Sequence, residues 1–258
     1  MRPVPFILTT SYGFDCKYYN TVILLTRGFM TGTQLVQFRK HRKRTQVQAA
    51  RELGVSQTYL SLLEKGKRPL TDELRSKAVH AFQLPPTHMP VSEDLSDVVA
   101  VSDDELGTDL ATLGYPGFAH LKKSTPKNPA MVLLSALKAD NREARDVEAL
   151  PWVVLTFPDM NWASVVKAAK VNDLQNRLGF VTNVARQMAV LRNDKTTAAR
   201  LSRLEAELEP SMLVREGTLC NERMTNAERK WLATNRPDAA KHWRLLTDLS
   251  PRSLDHYD

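Results

Sequence analysis

The 24 residues from Thr45 to Arg68, TQVQAARELGVSQTYLSLLEKGKR, admit very few folds. Thr45-Gln46-Val47-Gln48 has capping-box spacing: the Thr hydroxyl meets the orphan amides of a helix start and Gln48 reaches back to the cap. Ala50 is small, so a second helix can cross closely at that point. Gly54 removes the steric cost of a left-handed residue at the turn. Ser56 caps a following helix that ends near Lys65-Gly66. Leu60 and Leu63 then lie on the face that packs back onto Ala49, Leu53 and Val55. Two short helices joined by a tight turn meet all of these constraints at once.

The flanks extend the unit. Leu35 and Phe38 share one side of a basic helix upstream; Pro69 stops the preceding helix, Thr71 caps another, and Leu74, Ala78 and Phe82 form its apolar stripe. Leu84-Pro85-Pro86 closes a bundle of four or five helices over residues 31–86. The basic charge is concentrated here. Residues 31–90 hold 11 Lys/Arg against 4 Asp/Glu, whereas residues 91–258 hold 22 against 24, in a chain of net charge +7. Phosphate binding by counterion release needs such a patch. Arg39, Lys40, Arg42, Lys43 and Arg44 can serve it, although a solvated helix face accounts for some of these five.

From the helix holding Leu35 and Phe38 through Phe82, the chain resembles the Cro/repressor-type helix-turn-helix family, also called the xenobiotic-response-element family. The resemblance implies that one motif helix abuts the DNA backbone while the next lies in the major groove. It implies that Gln46 meets a phosphate and orients the recognition helix opened by Ser56, with Thr45 and Ser56 also among the DNA-binding residues. Gln57, Thr58 and Ser61 are expected at base edges, and Lys65, Lys67 and Arg68 at phosphates just beyond; the charge patch adds Arg42, Lys43 and Arg44 to the DNA-binding residues. A Gln amide bonds adenine at two points, which makes Gln57 the leading base reader. Tyr59 is expected at the helix edge, near backbone or partner. Leu62 falls outward where the family often carries Arg or Lys. Three readings of it stand open: a thymine-methyl contact, a dimer contact, or an exposed Leu of no consequence.

The first 30 residues lack helical periodicity, and their apolar runs are too short for a signal-peptide core or a membrane span. Translation is expected to begin at Met30, with 1–30 an extension that does not belong to the protein; a short β-rich or disordered arm is the alternative. Of the two cysteines, Cys16 lies in that extension and Cys220 stands alone, which excludes a disulfide framework and fits a reducing cytoplasm. No local signature makes Cys220 a nucleophile, so it reads as buried or idle.

Residues 91–115 carry seven acidic residues and no Lys or Arg. They read as an acidic linker with a short helix beginning after Ser102, whose spacing to Glu105 fits a capping box; the sharper alternative lays this strip against the basic face in competition with DNA. Residues 116–258 hold all four Trp and recurrent helix signals. Asn128-Pro129, Asn161 and Thr225-x-x-Glu228 read as helix starts, and Pro151 and Pro158 as punctuation of LPWVVLTFPD. Leu174, Leu178, Val181, Ala185 and Met188 step by four and three, and Leu201, Leu204 and Leu208 repeat the spacing after Asn193-Asp194. Two such helices make an antiparallel hairpin, for core packing or for a subunit contact.

The expected fold class is therefore all-α: a Cro/repressor-like domain, 31–90, and a larger helical domain, 116–258, of no recognised family. His-Glu-x-x-His is missing, as is a Gly-rich phosphate loop. His120, His242 and His256 lack metal-ligand spacing, and Glu228-Arg229-Lys230 beside Trp231 reads as surface charge. The expectation is a protein without catalysis, cofactor or metal, with double-stranded DNA as partner. It acts as a cytoplasmic homodimeric repressor sensing a signal through its second domain, or as an autoregulating antitoxin masking a toxin encoded beside it. An enzyme fused to a DNA-binding head is a remote third reading.

Overall fold

The computed structural model describes residues 30–89, 91 and 98–257, without the side chains of 255–257. The expectations for residues 1–29 and Cys16 lie outside the described residues, as does the ring of His256. The described residues form two compact units, divided after residue 90.

In the first unit, α1 (Gly32–His41), α2 (Gln46–Leu53), α3 (Gln57–Glu64) and α4 (Asp72–Ala81) are followed by a 3-10 turn at Pro86–His88. Each helix opens on a side-chain cap: Thr31, Thr45, Ser56 and Thr71, with full capping boxes at Thr31–Gln34 and Thr45–Gln48. Gly54 ends α2 in the left-handed region at φ +70°, as the turn requires. Leu35, Phe38, Ala49, Ala50, Leu53, Leu60, Leu63, Leu74, Ala78 and Phe82 are buried in one apolar core, and Val55 packs against it. Met30 is buried in that core as well. At Gly32 α1 approaches α3 closely: a Cβ there would lie 2.1 Å from the carbonyl oxygen of Leu63.

The second unit contains α5 (Asp103–Leu113), α6 (Pro129–Lys138), α7 (Ala144–Thr156), α8 (Trp162–Val171), α9 (Gln175–Leu191), α10 (Lys195–Leu208), α11 (Asn226–Asn235) and α12 (Asp238–His242). Among the described residues the departures from all-α are a parallel two-residue ladder, β1 (Gly217–Thr218) with β2 (Leu245–Leu246), and an isolated antiparallel bridge between Asn141 and Asn221. The caps at Asn128, Asn161 and Thr225 form as expected. The α9–α10 pair is an antiparallel hairpin, because Gln175 bonds Ser211 and Asn176 bonds Leu213 while Asn183 bonds Glu205. Its stripe of Leu178, Val181, Ala185, Met188, Leu201, Leu204 and Leu208 is buried within the unit, which is the core-packing outcome.

Two expectations need correction. Residues 98–115 are not a linker: Leu106, Leu110 and Leu113 of α5 are buried in the second core. Three acids of this segment are answered from later in the chain, Glu105 and Asp109 by Lys127 at 2.7 Å each and Asp103 by Arg142 at 2.7 Å. Charge repulsion along the segment is thereby reduced, and the apolar face of α5 decides its place. Pro151 does not punctuate; it lies inside α7, buried among apolar neighbours, and the chain leaves the helix only at Phe157, before Pro158.

Cys220 is fully buried with its thiol directed at the carbonyls of Ala136 and Leu137 at the end of α6, 3.7 and 3.8 Å away. Arg142 and Arg177 donate to the same helix end, at Ser135, Ala136, Leu137 and Ala139. The orphan carbonyls of a buried helix terminus are satisfied this way. Burial pushes the Cys220 thiol up from its usual range, which keeps it protonated. Among the described residues no helix is long and apolar enough to cross a membrane.

Candidate nucleic-acid interface

The site is built around α3. Its buried edge, Leu60 and Leu63, fixes the helix on the core; the opposite edge carries Gln57, Thr58, Ser61 and Leu62. At 3.6 residues per turn these four fall within an arc of about 140°. Gln57 and Thr58 are exposed, and Ser61 and Leu62 half-buried. Tyr59 lies outside the arc, half-buried against the core at the helix edge. Ser56 caps the helix by accepting from the Tyr59 amide at 3.1 Å, so its hydroxyl is engaged in the fold.

The far end of α3 closes in a Schellman turn. Gly66 N–H donates to Leu63 O at 3.0 Å and Lys67 N–H to Leu62 O at 2.9 Å, with Gly66 at φ +67°. Only a residue without a Cβ adopts this conformation cheaply. The turn sets Lys65, Lys67 and Arg68 on the surface immediately past the helix, all exposed.

A buried polar lock ties three helices together at this point. Glu64, the last residue of α3, receives the Arg39 guanidinium of α1 on both carboxylate oxygens, with Nη2–Oε2 at 3.1 Å. Gln46, first residue of α2, donates its amide to the same carboxylate at 2.8 Å. The Arg39 and Glu64 side chains retain 11% and 4% of their exposure. Arg39 also donates to Arg44 O at 3.0 Å, which holds the turn leading into α2. Gln46 is thus an orienting residue toward α3 in this structure. Thr45 is exposed and makes the α2 cap.

The basic cluster divides by partner. Arg42 is not a free cation: its guanidinium donates to Phe82 O at 2.8 Å and Gln83 O at 3.1 Å, capping the end of α4. The last carbonyls of a helix attract a cation, so Arg42 has a structural role beside the phosphate contact expected of it. Arg39 is engaged in the buried lock. Arg44 pairs with Glu52 at 2.9 Å but remains about half-exposed. Lys40 and Lys43 are exposed.

Sequence reasoning missed Glu64 and the role of Arg39. The signal was present, since Arg39 sits one residue past Phe38 and four past Leu35, inside the apolar stripe of α1. A charge in a buried stripe needs a partner. Among the described residues no group of three His, Cys, Asp or Glu side chains is arranged to hold a metal ion.

Comparison with known proteins agrees with this geometry. Residues 35–88 match the family model described as Helix-turn-helix, which spans α1 through the closing 3-10 turn. Neither the curated proteins nor the solved structures compared with the chain gave a match, and no family model covers the second unit. Residues 35–88 are a DNA-binding helix-turn-helix domain of the Cro/C1 type, in the XRE family of transcription regulators.

Proposed function

We propose that this protein is a sequence-specific transcriptional repressor that inserts α3 into the major groove of an operator. The observation that carries the reading is the uncharged arc of Gln57, Thr58, Ser61 and Leu62, with Lys65, Lys67 and Arg68 exposed at its end. Base edges are read by groups of the first kind and phosphates by cations of the second. A single domain of this size binds weakly, so the reading includes a homodimer on two half-sites one helical turn apart, with the second unit supplying dimerisation or a signal. The protein acts in the cytoplasm by binding alone, without catalysis, cofactor or metal.

Footprinting on duplex fragments tests this. The expected result is protection of two major-groove segments about one turn apart. Gln57→Ala should weaken that site by about 1–3 kcal/mol and relax preference at one base pair. An unaltered footprint in Gln57→Ala would place the recognition surface elsewhere.

A second reading, an autoregulating antitoxin, draws on one feature of the second unit. Trp231 on α11 is 57% exposed, and exposed Trp is the residue type most often found at the energetic centre of protein contacts. Co-expression with the neighbouring gene product tests it: a complex lost in Trp231→Ala favours the antitoxin, and no complex with any neighbour rejects it.

A further inference from the structure

We infer that α3 reads A·T pairs, with adenine bonded by Gln57 and a thymine methyl seated on Leu62. This rests on the proposed major-groove reading and specifies which bases that site accepts. The commonest route to guanine is a bidentate Arg or Lys on O6 and N7. From Gln57 to Glu64 the helix carries neither, and its first cation, Lys65, stands at the C-cap where the helix has ended. Cytosine N4 is read by a free carboxylate. The one carboxylate of α3, Glu64, is buried and held by Arg39 and Gln46, so it is turned away from any ligand.

Four side chains remain on the open arc. Gln57 offers a donor and an acceptor together, which match adenine N7 and N6. Thr58 and Ser61 bond any base and select little. Leu62 offers only an apolar surface. It is half-buried and lies outside the apolar core that holds Leu60 and Leu63, so core packing does not account for it. The major groove presents one apolar group, the C5 methyl of thymine. Leu62 follows Gln57 by five residues at the other edge of the same arc, about 7.5 Å along the helix axis, so the methyl contact and the adenine contact fall on different base pairs of one half-site.

The experiment selects duplexes from a random-sequence pool with the full chain, then replaces each thymine of the selected half-site by deoxyuridine. The expected half-site recurs in A·T pairs at the contacted positions. One deoxyuridine position should bind about fourfold more weakly, the worth of one buried methyl group, and Leu62→Ala should abolish the difference between thymine and uracil there. Half-sites that recur in guanine along α3, or a deoxyuridine series without effect, overturn the inference while leaving DNA binding intact. Retention of no duplex overturns the proposed function itself and this inference with it. The deoxyuridine series on the unaltered chain needs no variant, so a Leu62→Ala chain that fails to fold leaves the test standing.

Discussion

Glu64 is the residue on which the orientation of α3 turns, because one carboxylate answers groups from two other helices. Removing one member of a buried ion pair leaves the other charge uncompensated, at about 3–5 kcal/mol. Glu64→Ala should therefore lower the unfolding transition of the first unit by roughly that amount, and calorimetry on the full chain reads it. Asp146 makes the opposite kind of case. Burial, with the Asp103 carboxylate nearby, pushes its carboxyl up to about 6, against the partial relief of Arg142; Glu143 adds to the rise. The folded chain then holds a proton that the unfolded chain releases near pH 4. The stability this gives is complete below that pH and falls away as pH rises through about 6. We expect the second unit to lose about 1–2 kcal/mol between pH 4.5 and 7.5, after allowance for screening. Denaturant titrations check this: Asp146→Asn should flatten the dependence, and an equal slope in the variant would reject the assignment. Caps such as Thr45 and Ser56 are legible in sequence because donor and acceptor lie three residues apart. The role of Arg42 is not, since its carbonyl partners lie 40 and 41 residues away.

At the scale of elements, close approach explains what periodicity alone leaves open. Gly179 of α9 lies beneath the buried Trp243 ring; a Cβ there would stand 2.2–2.4 Å from three ring carbons. Gly179→Ala forces the ring or the helix to move, and overpacking of this kind costs about 1–3 kcal/mol. The expected outcome is a lower unfolding midpoint with altered Trp fluorescence; an unchanged midpoint would mean that the ring yields freely. The α9–α10 hairpin was readable because its stripes repeat at helical spacing and the turn between them is short. Residues 98–115 were misread for a physical reason. Their acids dominate the composition, while the cations that neutralise them, Lys127 and Arg142, come later in the chain. Pro151 misled likewise: proline disfavours a helix locally, and burial within α7 overrides that preference.

The whole molecule divides its chemistry between two units. The helix-turn-helix region carries the basic excess, whereas residues 91–258 are slightly acidic. The first unit was legible down to its turn and caps because its constraints fall within 24 residues; the second was legible only as helices, because its core joins α5 to segments as distant as Trp243 and Leu254. Under the proposed function, exposed cations at the end of α3 grip phosphates while the helix enters the groove. The most direct measurement is affinity for a selected duplex as salt is raised from about 50 to 200 mM. A straight decline of log affinity against log salt is predicted, made shallower by about one unit in Lys67→Ala and again in Arg68→Ala. An affinity indifferent to salt, or slopes unmoved by both substitutions, would contradict it.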